Sequence, residues 1–571
     1  MTTELCKMVV FNICYVESNP TANPIFGFSE FISAFSLLMV LYTITDIRYK
    51  FRISIAPTSF KKISLIDEVF ILSLLIAVGT LWSDFSFEKK LLMPSFLSNQ
   101  ANLQLIFAIS FVALLFNWIW CAFIKPPVFG KKNYQRFINN VYYEIVKGSS
   151  VDLPIIANEL SRSARNIVKY SDSVVPETTR KIFDVGRCAY ELILLIGNRK
   201  ICKYIVSNTP ITAIAIFEEA AKNNKYGLPL STFAKNVAAE AFLNKDSILY
   251  HEDEGYNSGL IGYIKPFSKA IFGNSNLVGS LSPQTPFDID YETLRSLDSE
   301  QLGVYTKSFL IFISDCLENS TIEKYQTTFN RTLGLITGRC TDAYKLNNVS
   351  DFYNIDVYKR IAVVSKFIKD LIDLLGKKDK SLERQNLKSY DRYNDYYDVI
   401  AESMKEILEN IASIKEPIDT SWWIQNNTVW NDFFIWYDKQ NYACKIIHYR
   451  LRRLIYSEIK RLEDIPNYLS IKVLGLCLNV MGLKTRNEKG LSGYLATKAL
   501  HKCILAWSKK NYMEVREKNI DVAQNVLIGS ISFESKINKD ENEKNYLVKT
   551  YAKALNLEAP KEYLELDCKL S

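Results

Sequence analysis

The stretch that decides the fold is Leu103 to Ile124, which reads LQLIFAISFVALLFNWIWCAFI. It carries no charged residue, and its polar side chains are Gln104, Ser110 and Asn117. A helix needs about 20 apolar residues to cross a hydrocarbon core of roughly 30 Å, because each residue advances about 1.5 Å. The stretch therefore predicts a membrane-spanning helix.

Two weaker apolar runs precede this helix, at residues 26–45 and 63–82. Glu30 lies within the first run and Asp67 lies near the start of the second, so the uncharged part of each run is shorter. We expect three crossings, which make residues 1–125 a transmembrane domain. The lipid bilayer is thus the first expected partner.

The charges between the runs predict an orientation. The loop at 83–102 is balanced, whereas the loop at 46–62 and the segment after residue 124 are basic, with Arg48, Lys50, Arg52, Lys61, Lys62, Lys125, Lys131, Lys132 and Arg136. Short loops rich in Lys and Arg stay on the cytoplasmic side of a membrane. We therefore expect an outer N-terminus and a cytoplasmic body, with a bacterial inner membrane as the expected location.

The composition excludes a disordered chain and gives little support to nucleic-acid binding. Of 571 residues, 48% are hydrophobic and 13% aromatic, which is enough for a sizeable core. The net charge of +8 is mild for this length. It suits a body near an anionic membrane face and does not by itself imply a nucleic-acid partner.

Cysteine and histidine give no sign of a metal site. The eleven cysteines are scattered without a CxxC pair, which predicts free thiols in a reducing compartment. The three histidines, His251, His448 and His501, lie far apart in the sequence. We therefore predict no metal site and name no cofactor.

The remainder of the chain predicts a mainly α fold with a large, all-helical, array-like body. Helical periodicity defines a first domain at 133–243 and a second at 298–571. Between them, residues 244–297 are rich in Gly and Pro and lose this periodicity, which is typical of a functional loop or a linker. No fixed repeat length is present, so no repeat family is assigned.

The sequence also predicts individual elements of the body. Long helices are predicted at 384–414, 420–462 and 541–554. The only predicted strands are those of a hairpin within 246–264. We expect the body to be helical elsewhere.

An acidic cluster in the irregular segment is the candidate for catalysis: His251, Glu252, Asp253 and Glu254. Carboxylates of this kind can hold a divalent cation or act as a general base. Consecutive side chains point in different directions, so at most two of them can share one site. A solvated loop, or a contact with a basic partner, is the interpretation that this spacing favours.

Residues 421–437, SWWIQNNTVWNDFFIWY, hold four of the eight tryptophans. On a helix, Trp423 and Trp430 share one side with Phe434. A buried core helix is the simplest interpretation, and contact with a membrane interface or stacking on a base are the alternatives.

A basic run follows, and its arginines Arg450, Arg452 and Arg453 are candidates for binding lipid phosphates or nucleic acid. Apolar residues alternate with them, among them Leu451 and Leu454. The competing interpretation is a core helix with a solvated basic face.

No phosphate-binding loop, dinucleotide fingerprint, GxSxG or HExxH motif is present. We therefore expect a multi-pass membrane protein with a helical cytoplasmic body that acts as a sensor, scaffold or effector, with a homo-oligomer or a cytoplasmic protein as its partner. The first alternative is an oligomeric pore lined by Glu30, Ser33, Ser36 and Asn117. The second is a membrane-associated enzyme that uses residues 251–254.

Overall fold

The computed structural model describes residues 6–11, 13–18, 26–57, 65–171, 184–252, 266–378, 395–435, 441–485, 492–537, 543–551 and 559–567. The chain forms two compact units, residues 1–233 and 234–571. Each unit is mainly helical, and each also contains a three-stranded antiparallel sheet.

The first unit opens with a hairpin of β1 (Met8–Val10) and β2 (Ile13–Glu17). The other edge of β2 pairs with β3 (Leu92–Pro94), which comes much later in the chain. A disulfide joins Cys6 and Cys14 within this hairpin. The prediction that the cysteines are free was therefore wrong for this pair.

An apolar helical bundle follows the hairpin. It consists of α1 (Phe28–Ile44), α3 (Leu65–Glu88) and α4 (Gln100–Ile119), and a π-helical turn at Trp120–Ile124 extends α4. The short amphipathic helix α2 (Ile47–Ser54) connects α1 to the segment that leads into α3.

Among the described residues, two helices are long and apolar enough to cross a membrane, those at 65–88 and 100–124. The prediction of three helices of this length was wrong, because the helix in the first apolar run is shorter. Helix α1 has 17 residues and covers about 25 Å, because Asp46 ends the apolar run and caps α2 by accepting from the Arg48 N–H at 3.2 Å.

Aromatic rings and one glycine hold the bundle together. The Phe31 ring lies 5.4 Å from that of Phe111 in an edge-to-face arrangement. The Phe107 ring fills the space beside Gly79, where an added Cβ would lie 2.7 Å from it. The close approach of α3 and α4 at this level therefore requires glycine.

The rest of the first unit packs around α6, whose apolar residues Ile156, Leu160 and Ile167 are buried at helical spacing. Helices α5, α7, α8 and α9 contact it. The ranges are α5 (Tyr134–Lys147), α6 (Asp152–Tyr170), α7 (Val185–Ile196), α8 (Arg199–Asn208), α9 (Pro210–Lys222) and α10 (Ser231–Leu243), the last of which contains the division between the units.

The second unit contains thirteen more α-helices in its described part, besides short 3-10 turns and one π-helical segment. They are α11 (Ile248–His251), α12 (Pro266–Phe272), α13 (Ser275–Ser280), α14 (Tyr291–Ser296), α15 (Ser299–Glu318), α16 (Gln326–Thr337), α17 (Asp356–Lys378), α18 (Tyr396–Ile411), α19 (Ile418–Trp422), α20 (Tyr442–Asp464), α21 (Tyr468–Met481), α22 (Ser492–Lys518) and α23 (Ile520–Ala523). Much of the predicted irregular segment at 244–297 thus forms short helices. The predicted hairpin falls largely on residues 253–265, outside the described residues, and its start at 248–251 is helical.

The second unit ends in a sheet, so the prediction of an all-helical body was wrong here. Its strands are β4 (Ile531–Ile537), β5 (Glu543–Thr550) and β6 (Lys561–Glu565). The predicted helix at 541–554 is strand β5 in its described part. Its buried positions include Asn545 and Lys549 as well as apolar residues, so the apolar alternation typical of a strand is hidden.

The predicted helix at 420–462 is also divided. Helix α19 passes into a π-helical segment at Trp423–Ile435, and α20 begins afresh after Asn441. The Asn441 side chain caps α20 by accepting from the Cys444 N–H at 2.9 Å. This capping residue marks a helix start inside the predicted run.

Candidate functional site: the membrane anchor

Helices α3 and α4 present a broad apolar surface. Only 28% and 17% of their most apolar stretches are buried. A core helix of a soluble protein would be mostly buried, so this exposure favours a hydrocarbon environment. The exposed side chains include Leu74, Leu75, Val78 and Trp82 on α3, and Leu105, Ile109, Val112 and Phe116 on α4.

The three bundle helices share the same two ends. At one end, the N–H of Phe26, just before α1, donates to the Gln104 side chain at 3.4 Å. At the other end, Leu38 of α1 belongs to one buried cluster with Leu65 and Ala122. From Gln104 to Ala122 is 18 residues, or about 27 Å of helix. The start of α1 thus lies near Gln104, and its later residue Leu38 belongs to the cluster at the other end of the bundle.

A buried ion pair joins the bundle to the helices that follow it. Arg52 of α2 donates from Nε to Glu159 Oε2 at 2.9 Å and from Nη2 to Glu159 Oε1 at 2.6 Å. Its Nη1 donates to the Ala122 carbonyl at 2.9 Å. The two side chains are 11% and 4% exposed. Such a bidentate pair fixes α2, the end of α4 and α6 in one arrangement.

Further contacts at this junction use backbone carbonyls that the end of α2 leaves without helical partners. The Asn133 side chain donates to the Ile55 carbonyl at 2.9 Å, and Arg136 donates to the Ala56 carbonyl at 2.8 Å. The N–H of Phe129 donates to the Ser163 hydroxyl at 3.1 Å. The exit from the bundle is therefore anchored to both α2 and α6.

Sequence reasoning missed the ion pair. Arg52 was counted only as one of several topology-setting charges. Glu159 falls on the apolar face of α6, between Ile156 and Leu160, and this position was the available signal. An acid on an apolar face requires a buried partner, because an unpaired charge is costly there.

The side chains predicted to line a pore do not face the bundle interior. Glu30, Ser33, Ser36 and Asn117 are all exposed. The hydroxyls of Ser33 and Ser36 donate to carbonyls of their own helix, at 2.9 and 2.8 Å. Within one chain they enclose no channel.

The acidic candidate is only partly described, since Asp253 and Glu254 lie outside the described residues. Glu252 receives the N–H of Phe267 at 2.6 Å and that of Ser268 at 3.2 Å, so it caps the start of α12. His251 is exposed at the end of α11. Glu252 thus has a structural role as the cap of α12. Catalysis by the acidic cluster stays a prediction.

The arginines of the basic run have partners inside the second unit. Arg450 pairs with Asp395 and, at 3.0 Å, with Asp398. Arg452 donates to the Ala496 carbonyl at 2.7 Å, and Arg453 lies 5.8 Å from the Tyr449 ring. Ligand binding by these residues stays a prediction.

The tryptophan-rich stretch lies in the π-helical segment. Trp430 is 5% exposed and packs against Phe434, with ring centres 4.5 Å apart and the rings tilted by 43°. Trp423 is half-exposed, and its Nε1 donates to the Tyr358 hydroxyl at 3.3 Å. Trp430 thus packs in the core, and Trp436 lies outside the described residues.

One pair has the chemistry of an activated nucleophile. The Cys444 sulfur lies 3.6 Å from His448 Nδ1, and His448 Nε2 lies 2.5 Å from the Phe433 carbonyl. Both side chains are buried, which denies a substrate access to them. Among the described residues, no three potential metal-binding side chains come together.

Comparison with protein-family models, curated proteins and solved structures finds no match for this chain.

The ion pair gives a first prediction. Glu159→Ala leaves the Arg52 guanidinium buried beside no carboxylate, so we expect a loss of stability of about 3–5 kcal/mol. The measurement is thermal unfolding of the full chain in detergent. Glu191→Ala removes an exposed glutamate from the same unit and is the control, with an expected change within about 0.5 kcal/mol. Equal effects of the two substitutions would refute the role assigned to the pair.

The second prediction concerns pH. Burial lowers the pKa of His448 from 6.5 to about 4, more than the hydrogen bond with Phe433 raises it. Between about pH 4 and pH 6.5, His448 is therefore protonated in the unfolded chain and neutral in the folded chain. Stability from this residue is lost as the pH falls from about 6.5 towards 4.

We expect His448→Asn to reduce the drop in unfolding temperature between pH 7 and pH 5, since the substitution removes a contribution of about 1–2 kcal/mol at pH 5. His251→Gln removes an exposed histidine and is the matched control. An unchanged drop in the His448→Asn variant would contradict the prediction.

Proposed function

We propose that this chain is a multi-pass membrane protein whose helical body works as a sensor, scaffold or effector at the inner membrane face. The observation that carries the proposal is the common pair of ends shared by α1, α3 and α4. If α3 and α4 cross a bilayer, α1 crosses with them, because Phe26 at its start contacts Gln104 and its Leu38 packs in the cluster that contains Leu65 and Ala122. Its 25 Å of helix are about 5 Å short of the hydrocarbon core, which local thinning accommodates.

The distribution of charge supports an orientation. Arg52 contacts the last turn of the bundle, so the described part of the first basic segment, with Arg48, Lys50 and Arg52, lies at the same end as the segment after residue 124. The opposite end carries the sheet in which Glu17 pairs with Leu92. Positive residues favour the cytoplasmic side, so we assign the N-terminus and β3 to the outside.

The cysteines support the same orientation. The Cys6–Cys14 disulfide lies in the hairpin at the proposed outer end, whereas the described cysteines of both units beyond the bundle are free thiols. Disulfides persist in oxidising compartments and are rare in the cytoplasm. A bacterial inner membrane, with an oxidising outer and a reducing inner side, is the location we propose.

The exposed aromatic and apolar side chains of α5 support the proposal that this helix lies against the lipid headgroups. Its exposed side includes Tyr142, Tyr143 and Val146, while Phe137 and Val141 are buried on the other. It follows the end of the bundle after Lys131 and Lys132. Aromatic side chains with neighbouring lysines suit the interface of an anionic membrane.

Thiol labelling tests the orientation. Cys503 is the exposed free thiol among the described cysteines, and a Cys568→Ser background removes the thiol outside that part of the chain. In intact cells, we expect an impermeant maleimide to leave Cys503 unlabelled until the inner membrane is permeabilised. A Cys503→Ser control identifies the signal. Labelling before permeabilisation would overturn the proposed topology.

Lipid quenching tests the position of α5. A dye on Val146→Cys in nanodiscs should be quenched by lipids brominated near the headgroups, because the proposed interface places it among them. Ser207→Cys, an exposed position on α8, is the control. Both labels are placed in a background in which Cys503 and Cys568 are serine. Equal quenching at the two positions would contradict the placement of α5.

A further inference from the structure

The second unit contains a polar pocket of about 600 Å³ that no predicted site uses. Helix α14 forms one wall of the pocket. A second wall is formed by the end of α16 and by the two short 3-10 turns that follow it. Arg360 of α17 closes it. The pocket lies entirely within the second unit, so it does not depend on the membrane topology of the first.

Four basic side chains line this pocket: Arg295, Arg339, Lys345 and Arg360. The acidic residue in its wall is Asp342. The lining residues thus carry a formal charge of +3, or +2 once Asp356, which pairs with Arg360 at 2.8 Å, is counted. An excess of this kind in a concave site attracts anions.

Two of the guanidinium groups are held in place. Arg339 donates to the carbonyls of Arg295 and Leu297 at 3.1 and 2.9 Å. Arg360 donates to Asp356 and to Asp342, both at 2.8 Å. Fixed donors lose little freedom when a ligand binds, so this geometry is organised in advance.

The charged form of one of these arginines, Arg339, is destabilised by its surroundings. Burial lowers the pKa of the Arg339 guanidinium, and repulsion by Arg360 lowers it further. Burial also opposes the charge of Arg360, but its hydrogen bonds with Asp342 and Asp356 raise the pKa overall. An added negative charge near Arg339 would relieve this repulsion.

Two buried polar atoms of residues that line the pocket have no hydrogen-bond partner among the described residues. They are Arg339 Nε, a donor, and Asp342 Oδ1, an acceptor. Buried polar atoms are nearly always hydrogen-bonded in folded proteins. A ligand that satisfies both must offer an acceptor and a donor.

We infer that this pocket binds a small molecule carrying a phosphoryl group next to a hydroxyl. The phosphoryl oxygens accept from Arg339 and meet the charges of Arg295 and Lys345. The hydroxyl donates to Asp342 Oδ1. Arginine suits this task because its planar fork matches phosphate oxygens. Sugar phosphates and the glycerol phosphate headgroup of phosphatidylglycerol both have this chemistry.

Calorimetry on the full chain in nanodiscs tests the inference, with ribose 5-phosphate, inorganic phosphate and ribose as probes. In phosphatidylcholine nanodiscs we expect saturable binding of ribose 5-phosphate, weaker binding of inorganic phosphate and none of ribose. Repeating the titration in phosphatidylglycerol nanodiscs distinguishes the sources. Competition by that lipid identifies the headgroup as a ligand, and an unchanged affinity identifies the soluble compound.

The paired variants Arg295→Gln and Lys345→Gln test the site, because both side chains are exposed and their removal should not unfold the unit. We expect the double variant to weaken ribose 5-phosphate binding at least about tenfold. The control is Lys502→Gln with Lys510→Gln, two exposed lysines of α22, which should bind as the wild type does. The inference is overturned if neither phosphoryl probe binds or if the pocket variant matches the control.

Discussion

The structure of the first unit depends on the ion pair between Arg52 and Glu159. Removing two charges from water costs several kcal/mol for each ion, and only good geometry with further hydrogen bonds repays it. Here the guanidinium contacts both carboxylate oxygens and the Ala122 carbonyl. Because the three groups belong to different elements, the pair is satisfied only when α2, α4 and α6 are assembled. It therefore links the apolar bundle to the helices that follow it.

Much of the bundle could be predicted from sequence because its signal is local. Length and apolar composition identify α3 and α4 without reference to any neighbour, and the basic loops suggest an orientation. The extent of α1 was harder to predict, since its end depends on capping by Asp46. The disulfide was missed for a different reason. Cys6 and Cys14 look scattered in sequence and come together only when β1 and β2 pair.

The body shows where local patterns fail. Strand β5 was predicted as helix because Asn545 and Lys549 occupy buried positions that an apolar strand would fill with Val or Ile. The basic run was predicted either to bind phosphates or to form the solvated face of a core helix, and the structure adds an aspartate partner for Arg450 that is distant in sequence. The carboxylates beside Arg450 and the Ala496 carbonyl that Arg452 contacts are supplied by other segments. Sequence spacing alone contains no information about them.

Two buried polar clusters in the second unit show how a structural role differs from a binding role. Lys549 is 1% exposed, and its ammonium donates to the Asn479 carbonyl and lies 4.6 Å from the Trp422 ring. The Lys549 ammonium is thus hydrogen-bonded and in contact with an aromatic ring inside the fold. It therefore stabilises the packing of the sheet against α21 and is not available to a ligand. Arg339 and Asp342 differ, because each keeps a buried atom unsatisfied at the wall of an open pocket. In the proposed complex a bound molecule completes those bonds, and the excess of positive charge around them favours an anion.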